Sequence, residues 1–248
     1  MKYIKSSAAA FAVMLVTLAS PSLHAQGSPV VVELFTSQGC YSCPPAEAFL
    51  GELAERADIV ALEFHVDYWD SLNYMWHGQW KDPFSSPEYT QRQRLYNVSI
   101  RGQSGVYTPQ MVIDGRYEAV GSRRGQVETA IAKAFAERKL SVAVTPSGNR
   151  LSVLISGDAA GPGDVFLVKF IDRATTEVKK GENHGKVLVS RHIVRGMQKL
   201  GVWKGRKTKI SLPKEAGKAN NAGCAVIVQA PNHGPLLGAA LCPNSSSS

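Results

Sequence analysis

The chain has 248 residues, among them 28 Lys and Arg, 20 Asp and Glu, 6 His and 4 Cys, and a formal charge of +8. With 44% hydrophobic and 19% charged residues it is neither disordered nor collagen-like, and four cysteines are too few for a disulfide-scaffold miniprotein. A chain of this length folds by burying a core, as one large domain or two small ones.

The first 25 residues read as a signal peptide. Lys2 and Lys5 form a basic start, residues 8–19 a short apolar stretch, Ser20-Pro21-Ser22 a break, and Ala25 a small residue for cleavage. The stretch is too short to span a bilayer comfortably, and no later segment is long and apolar enough. The mature chain is therefore expected to be periplasmic or secreted, in an oxidising compartment, with no transmembrane segment. Its charge is uneven. Residues 26–140 hold 11 basic and 14 acidic residues, net −3; residues 141–248 hold 15 and 6, net +9. The composition shifts at the same point, which divides the chain into a first domain (26–140), a second (141–244) and a flexible tail (245–248).

Residues 30–35 (VVVELF) read as a buried strand, followed by a polar loop and Cys40-Tyr41-Ser42-Cys43. Pro44 and Pro45 suit the first turn of a helix, where their missing N–H groups cost little. Ala46, Phe49, Leu50, Leu53 and Ala54 then recur at helical spacing, so 44–57 is an amphipathic helix. Residues 59–66 (IVALEFHV) return as a strand. Residues 67–104 are polar and aromatic, with 87–98 helical. A strand at 110–113, a hairpin turn at Asp114-Gly115, a returning strand at 116–120 and a helix at 123–138 complete the first half. From residue 141 the pattern becomes short strands at 141–145, 150–156, 164–171, 186–194, 208–212, 223–230 and 236–241, which reads as a small β-sandwich. Cys224 and Cys242 flank the turn at 231–235 and are expected to form a structural disulfide in an exported protein.

The Cys-x-x-Cys at a strand-to-helix turn is the main chemical signal. Thiolates are the attacking species in disulfide exchange, and a helix N-terminus favours them. Cys40 is then the nucleophile and Cys43 the resolving thiol, with Tyr41 and Ser42 between them. The same spacing also binds metal. Glu33 is a carboxylate inside an apolar strand: either a buried proton relay for the Cys pair or an edge residue in solvent. His65, Asp67 and Asp70 lie at the C-terminal end of the second strand, where open α/β sheets place functional groups. His65 reads as a general base, a metal ligand or a hydrogen-bonded structural residue. Trp69, Tyr107 and the neighbouring aromatics either line a peptide groove or pack against the sheet.

Several long motifs resemble a family of exported bacterial proteins classed as a domain of unknown function. They are Val32–Glu47, Phe64–Trp69, Lys81–Phe84 and Gly105–Val112, with Gly181-Glu182-Asn183 and Val194-Arg195 later. The resemblance covers nearly the whole mature chain. It implies an α/β thioredoxin-like domain with a helical insert, followed by a small all-β sandwich-like domain. It supplies no activity. By the same resemblance Pro109 is a cis proline beside the Cys pair, and Thr108 presents its backbone to a substrate peptide.

The favoured expectation is an exported thiol–disulfide oxidoreductase acting on protein or small thiol substrates of the envelope, with no cofactor. The alternatives are a binding module in which Cys40–Cys43 is a fixed disulfide, and a Cu(I) carrier using the same cysteines with His65. Nucleic acid is a poor partner for an exported protein. The basic second half suits an anionic envelope surface or the net −3 first domain, or is simply a solvated face. The polar run Glu182-Asn183-His184, with Arg191, His192 and Arg195, either binds something or packs between the halves.

Overall fold

The computed structural model describes residues 28–74, 78–137, 139–213 and 221–243. The expected signal peptide and the tail at 245–248 lie outside the described residues. In chain order the elements are β1 (Val30–Thr36), α1 (Pro44–Ala54), β2 (Ile59–His65), β3 (Asn73–Tyr74), β4 (Gly78–Gln79), α2 (Pro87–Arg101), β5 (Gln110–Ile113), β6 (Tyr117–Val120) and α3 (Arg124–Phe135). The second half adds β7 (Ser141–Ser147), β8 (Arg150–Ser156), β9 (Gly163–Glu177), β10 (Val187–Trp203), β11 (Thr208–Pro213), β12 (Ala222–Gln229) and β13 (Leu236–Leu241).

The described strands assemble into an eight-stranded mixed sheet of order β13-β12-β9-β10-β2-β1-β5-β6, a three-stranded sheet β11-β8-β7 and the two-stranded β3-β4. This corrects the expected architecture of a thioredoxin-like α/β domain with a helical insert followed by a separate sandwich. Among the described residues the protein is mostly β, with three helices of 11 to 15 residues. The reason lies at the edge of β2. There β10 pairs parallel to it through Ile193 and Glu63, so strands from both halves share one sheet. The segment between β2 and β5 holds β3, β4 and the 15-residue α2, which has Pro at its first turn, a Ser86 cap on the Glu88 N–H and a left-handed Gly102 at its end.

Strand alternation divides the core. On β1 and β2, Val31, Phe35, Val60, Leu62 and Phe64 point to one face, where Tyr89 and Tyr96 of α2 cover them. Val32, Leu34, Ile59 and Ala61 point to the other, under α1 and α3. Along β9 and β12, Val165, Leu167, Val226 and Val228 meet Leu151, Val153 and Ile155 of the smaller sheet. The Cys224–Cys242 disulfide joins β12 to the end of β13 beside that cluster. The turn at Asp114-Gly115 has positive φ at both residues (49° and 61°), the hairpin geometry that Asp-Gly favours.

The strands β9 and β10 run longer than the expected 164–171 and 186–194. Beyond Ile171, β9 leaves β12 behind. Ala174–Glu177 and Val187–Ser190 then pair only with each other among the described residues. This two-stranded ribbon runs alongside α1 and carries residues 178–186 at its tip.

Candidate functional site

Cys40 and Cys43 form a disulfide at the start of α1, with Cα atoms 5.4 Å apart. Cys43 is the N-cap, Pro44 and Pro45 fill the first turn, and the Cys43 carbonyl accepts the Ala46 and Glu47 N–H groups. The Cys40 N–H donates to Ser37 O, and the Cys40 sulfur lies 3.4 Å from the Ser42 hydroxyl. Both cysteines are 0% exposed, although Tyr41 between them is 65% exposed.

The ribbon tip binds this loop. The Tyr41 N–H donates to the Glu182 carboxylate (2.8 Å). The Asn183 amide donates to the carbonyls of Gln38 (2.9 Å) and Cys40 (2.8 Å). Lys186 donates to the Asn183 amide oxygen at 2.9 Å, and its ammonium sits 4.1 Å from the centre of the Tyr41 ring. The run Glu182-Asn183 therefore packs on the Cys-x-x-Cys loop. On the same loop the buried Gln38 side-chain amide has no hydrogen-bond partner at either atom among the described residues.

Beside the start of α1 on this sheet face lies a buried polar cluster. Thr36 is opposite His65 in the β1–β2 register, and Leu34 is opposite Glu63. The His65 ring is held at both nitrogens, by Glu63 (2.8 Å) and Asp82 (2.7 Å), with all three side chains at most 1% exposed. Burial works against the imidazolium, but the Asp82 and Glu63 carboxylates hold the His65 pKa well above its usual value. Burial likewise opposes the Asp82 carboxylate, yet the His65 charge and the Gln38 and Phe84 N–H groups keep its pKa low. Glu47 of α1 reaches the same place, accepting the Thr36 hydroxyl at 2.7 Å. Burial and the nearby Glu63 charge push the Glu47 pKa up to about 8. Glu47 also lines a cavity of about 390 Å³ between α1 and the ribbon, with Arg173 and Arg191 on its wall.

The remaining residues singled out in the sequence are placed as follows. The Thr108–Pro109 peptide is cis. The Trp69 indole donates to the Thr108 hydroxyl (2.8 Å), and a side chain on Gly39 would touch Trp69, so Trp69 links this peptide to the cysteine loop. Asp67 accepts the Thr90 hydroxyl at 2.5 Å. The Tyr107 hydroxyl donates to Glu118, and its carbonyl accepts from Gln93. Asp70 gathers Lys81, Ser85 and the Asp82 N–H. Glu33 lies on the opposite face of β1, paired with Arg92 of α2 (2.7 and 2.8 Å) and hydrogen-bonded by Tyr96. It is remote from the Glu47–Glu63–His65–Asp82 cluster because alternate strand residues point apart. No group of three or more His, Cys, Asp and Glu among the described residues is arranged to hold a metal ion. His65, with both nitrogens bonded to carboxylates, offers no lone pair to one.

Sequence reasoning missed Glu47, Glu63 and Asp82. The signal was present: Glu63 is an acid in an apolar strand, the same mark that drew attention to Glu33. Glu47 and Asp82 both sit inside family-like motifs.

Fold and site together define a mixed-sheet β protein in which a ribbon tip binds a Cys-x-x-Cys disulfide loop. The chain belongs to the family described as "Protein of unknown function (DUF1223)", whose model matches residues 31–229. It is similar to the crystal structure of a protein from Agrobacterium tumefaciens, at 32% identity and a TM-score of 0.73, over 90% of this chain and 97% of that one. A search of curated proteins gave no match.

Proposed function

We propose that the protein is an exported thiol–disulfide exchange protein acting through Cys40–Cys43. One observation carries this reading: the disulfide sits at a helix start with a buried, protonatable carboxyl, Glu47, one turn along the same helix. In the disulfide form a substrate thiolate attacks the Cys40 sulfur. The Cys40–Cys43 bond breaks, and Cys43 leaves as a thiolate that takes the Glu47 proton. A second substrate thiolate then attacks the substrate sulfur of the mixed disulfide and releases Cys40. Two substrate thiols are oxidised to a disulfide, and the cysteine pair is reduced. With a pKa of about 8, Glu47 still holds its proton at neutral pH and regains it through the adjoining cavity. Export is supported by the basic and apolar start of the chain, and the +9 second half suits an anionic envelope surface.

A second reading, a binding module with a fixed Cys40–Cys43 disulfide, is favoured by the complete burial of both cysteines. The reduction potential of the pair separates the two, measured against a glutathione series with Cys40→Ser as control. A value between about −120 and −270 mV is the expected outcome for an exchange protein. A pair that stays oxidised below about −300 mV is structural and rejects the exchange reading.

A further inference from the structure

The burial of the cysteines is local. Tyr41, between them, is largely exposed, and the loop that carries the cysteines is hydrogen-bonded along its main chain by the ribbon tip. Glu182 takes one N–H, and Asn183 donates to two carbonyls. Displacing the tip without replacing those bonds leaves polar backbone groups unpaired, which costs free energy. An incoming molecule that brings both amide donors and carbonyl acceptors offsets that cost, and one lacking them does not. A polypeptide backbone brings both. The buried Gln38 amide, unpartnered among the described residues, adds a donor and an acceptor on the same loop, a complement to one peptide group. The tip also sits on a ribbon whose last residues, among the described residues, pair only with each other, so its displacement leaves the rest of the eight-stranded sheet paired.

We propose that residues 181–186 form a lid displaced by an extended polypeptide segment, and that cysteine-containing polypeptide, not small thiols, is the substrate class admitted to Cys40–Cys43. This rests on the exchange reading above. The substrate backbone takes over the hydrogen bonds of Glu182 and Asn183, and the exposed sulfurs then exchange as described, two substrate thiols giving one disulfide.

The test is a single-turnover oxidation by the disulfide form of the mature protein. The reductants are a short flexible peptide with two reduced cysteines and, separately, dithiothreitol, with rates compared per thiolate. The wild type is expected to oxidise the peptide faster. Glu182→Gln and Asn183→Ala are each expected to raise the dithiothreitol rate about tenfold, to raise the peptide rate less, and to speed hydrogen exchange at the Tyr41 amide. Glu182→Gln keeps the side-chain shape, so a folding defect in Asn183→Ala does not spoil the test. If the wild type oxidises both reductants equally fast, or the variants leave the dithiothreitol rate unchanged, the lid proposal is overturned while exchange stands. If neither wild type nor variants oxidise any thiol, the exchange reading falls, and the lid proposal with it.

Discussion

Glu33 and Glu47 are both buried carboxyls, and their partners make them different. Glu33 faces a guanidinium with which it shares two hydrogen bonds, so its charge is neutralised inside the core. Such a pair persists only while both members are present. Glu47 has a Thr hydroxyl and a neighbouring acid instead, so burial favours its neutral form. The consequence is a pH dependence of stability. The folded Glu47 pKa of about 8 exceeds the usual 4.5, so the folded state keeps a proton that the unfolded chain releases. Stability therefore falls as pH rises from about 4.5 through 8. His65 adds a loss in the same direction, starting near its unfolded value of 6.5, because its folded pKa is raised. Asp82 acts oppositely, losing stability as pH falls through its lowered pKa. Urea titrations of Glu47→Gln between pH 5 and 9 are expected to show a shallower fall than the wild type. An identical slope would mean that Glu47 is ionised throughout. From the sequence, Glu33 and Glu63 look alike, because a strand that is apolar on both sides gives no alternation to tell its faces apart.

At the level of elements, most segments stand where periodicity places them, and the two longest strands do not. The outer part of β9 alternates exposed and half-buried residues, since among the described residues only β10 pairs with it there. This part, Arg173-Ala174-Thr175-Thr176-Glu177, is polar and resembles a loop in sequence, which is why the strand was expected to stop at 171. Where β9 meets β12, the constraint is steric. Gly223 is opposite Phe170, and a Cβ there would lie 2.3 Å from the ring. Gly223→Ala is expected to cost about 1–3 kcal/mol as the ring is forced aside. Gly196→Ala on β10, where a Cβ meets nothing within 4 Å, serves as the control. Thermal denaturation of both variants checks this; equal melting temperatures would show that Phe170 moves at no cost.

For the molecule as a whole, the decisive feature is that β10 and β9 continue the sheet begun by β1 and β2. Arg92 of α2 reaches Gln229 of β12, and Tyr89 reaches the Val194 carbonyl of β10, so the shared core crosses residue 140. A single calorimetric transition, with equal calorimetric and van't Hoff enthalpies, is expected for residues 26–248. Two separable transitions would mean that 26–140 and 141–244 unfold as independent units.

The sequence alone determined the local elements, the Cys-x-x-Cys at a strand-to-helix turn, the Asp-Gly hairpin and the family to which the long motifs point. Each is written in neighbouring residues, through periodicity, turn chemistry or spacing. Only the tertiary structure decided that the halves share a sheet, that Glu47 and not Glu33 lies on the face of α1, and that Glu182-Asn183 binds the cysteine loop. Those outcomes depend on which strand edges meet and on which side of the sheet each residue points. Contacts across some 140 residues, such as Asn183 to Cys40, leave no periodic trace in the chain.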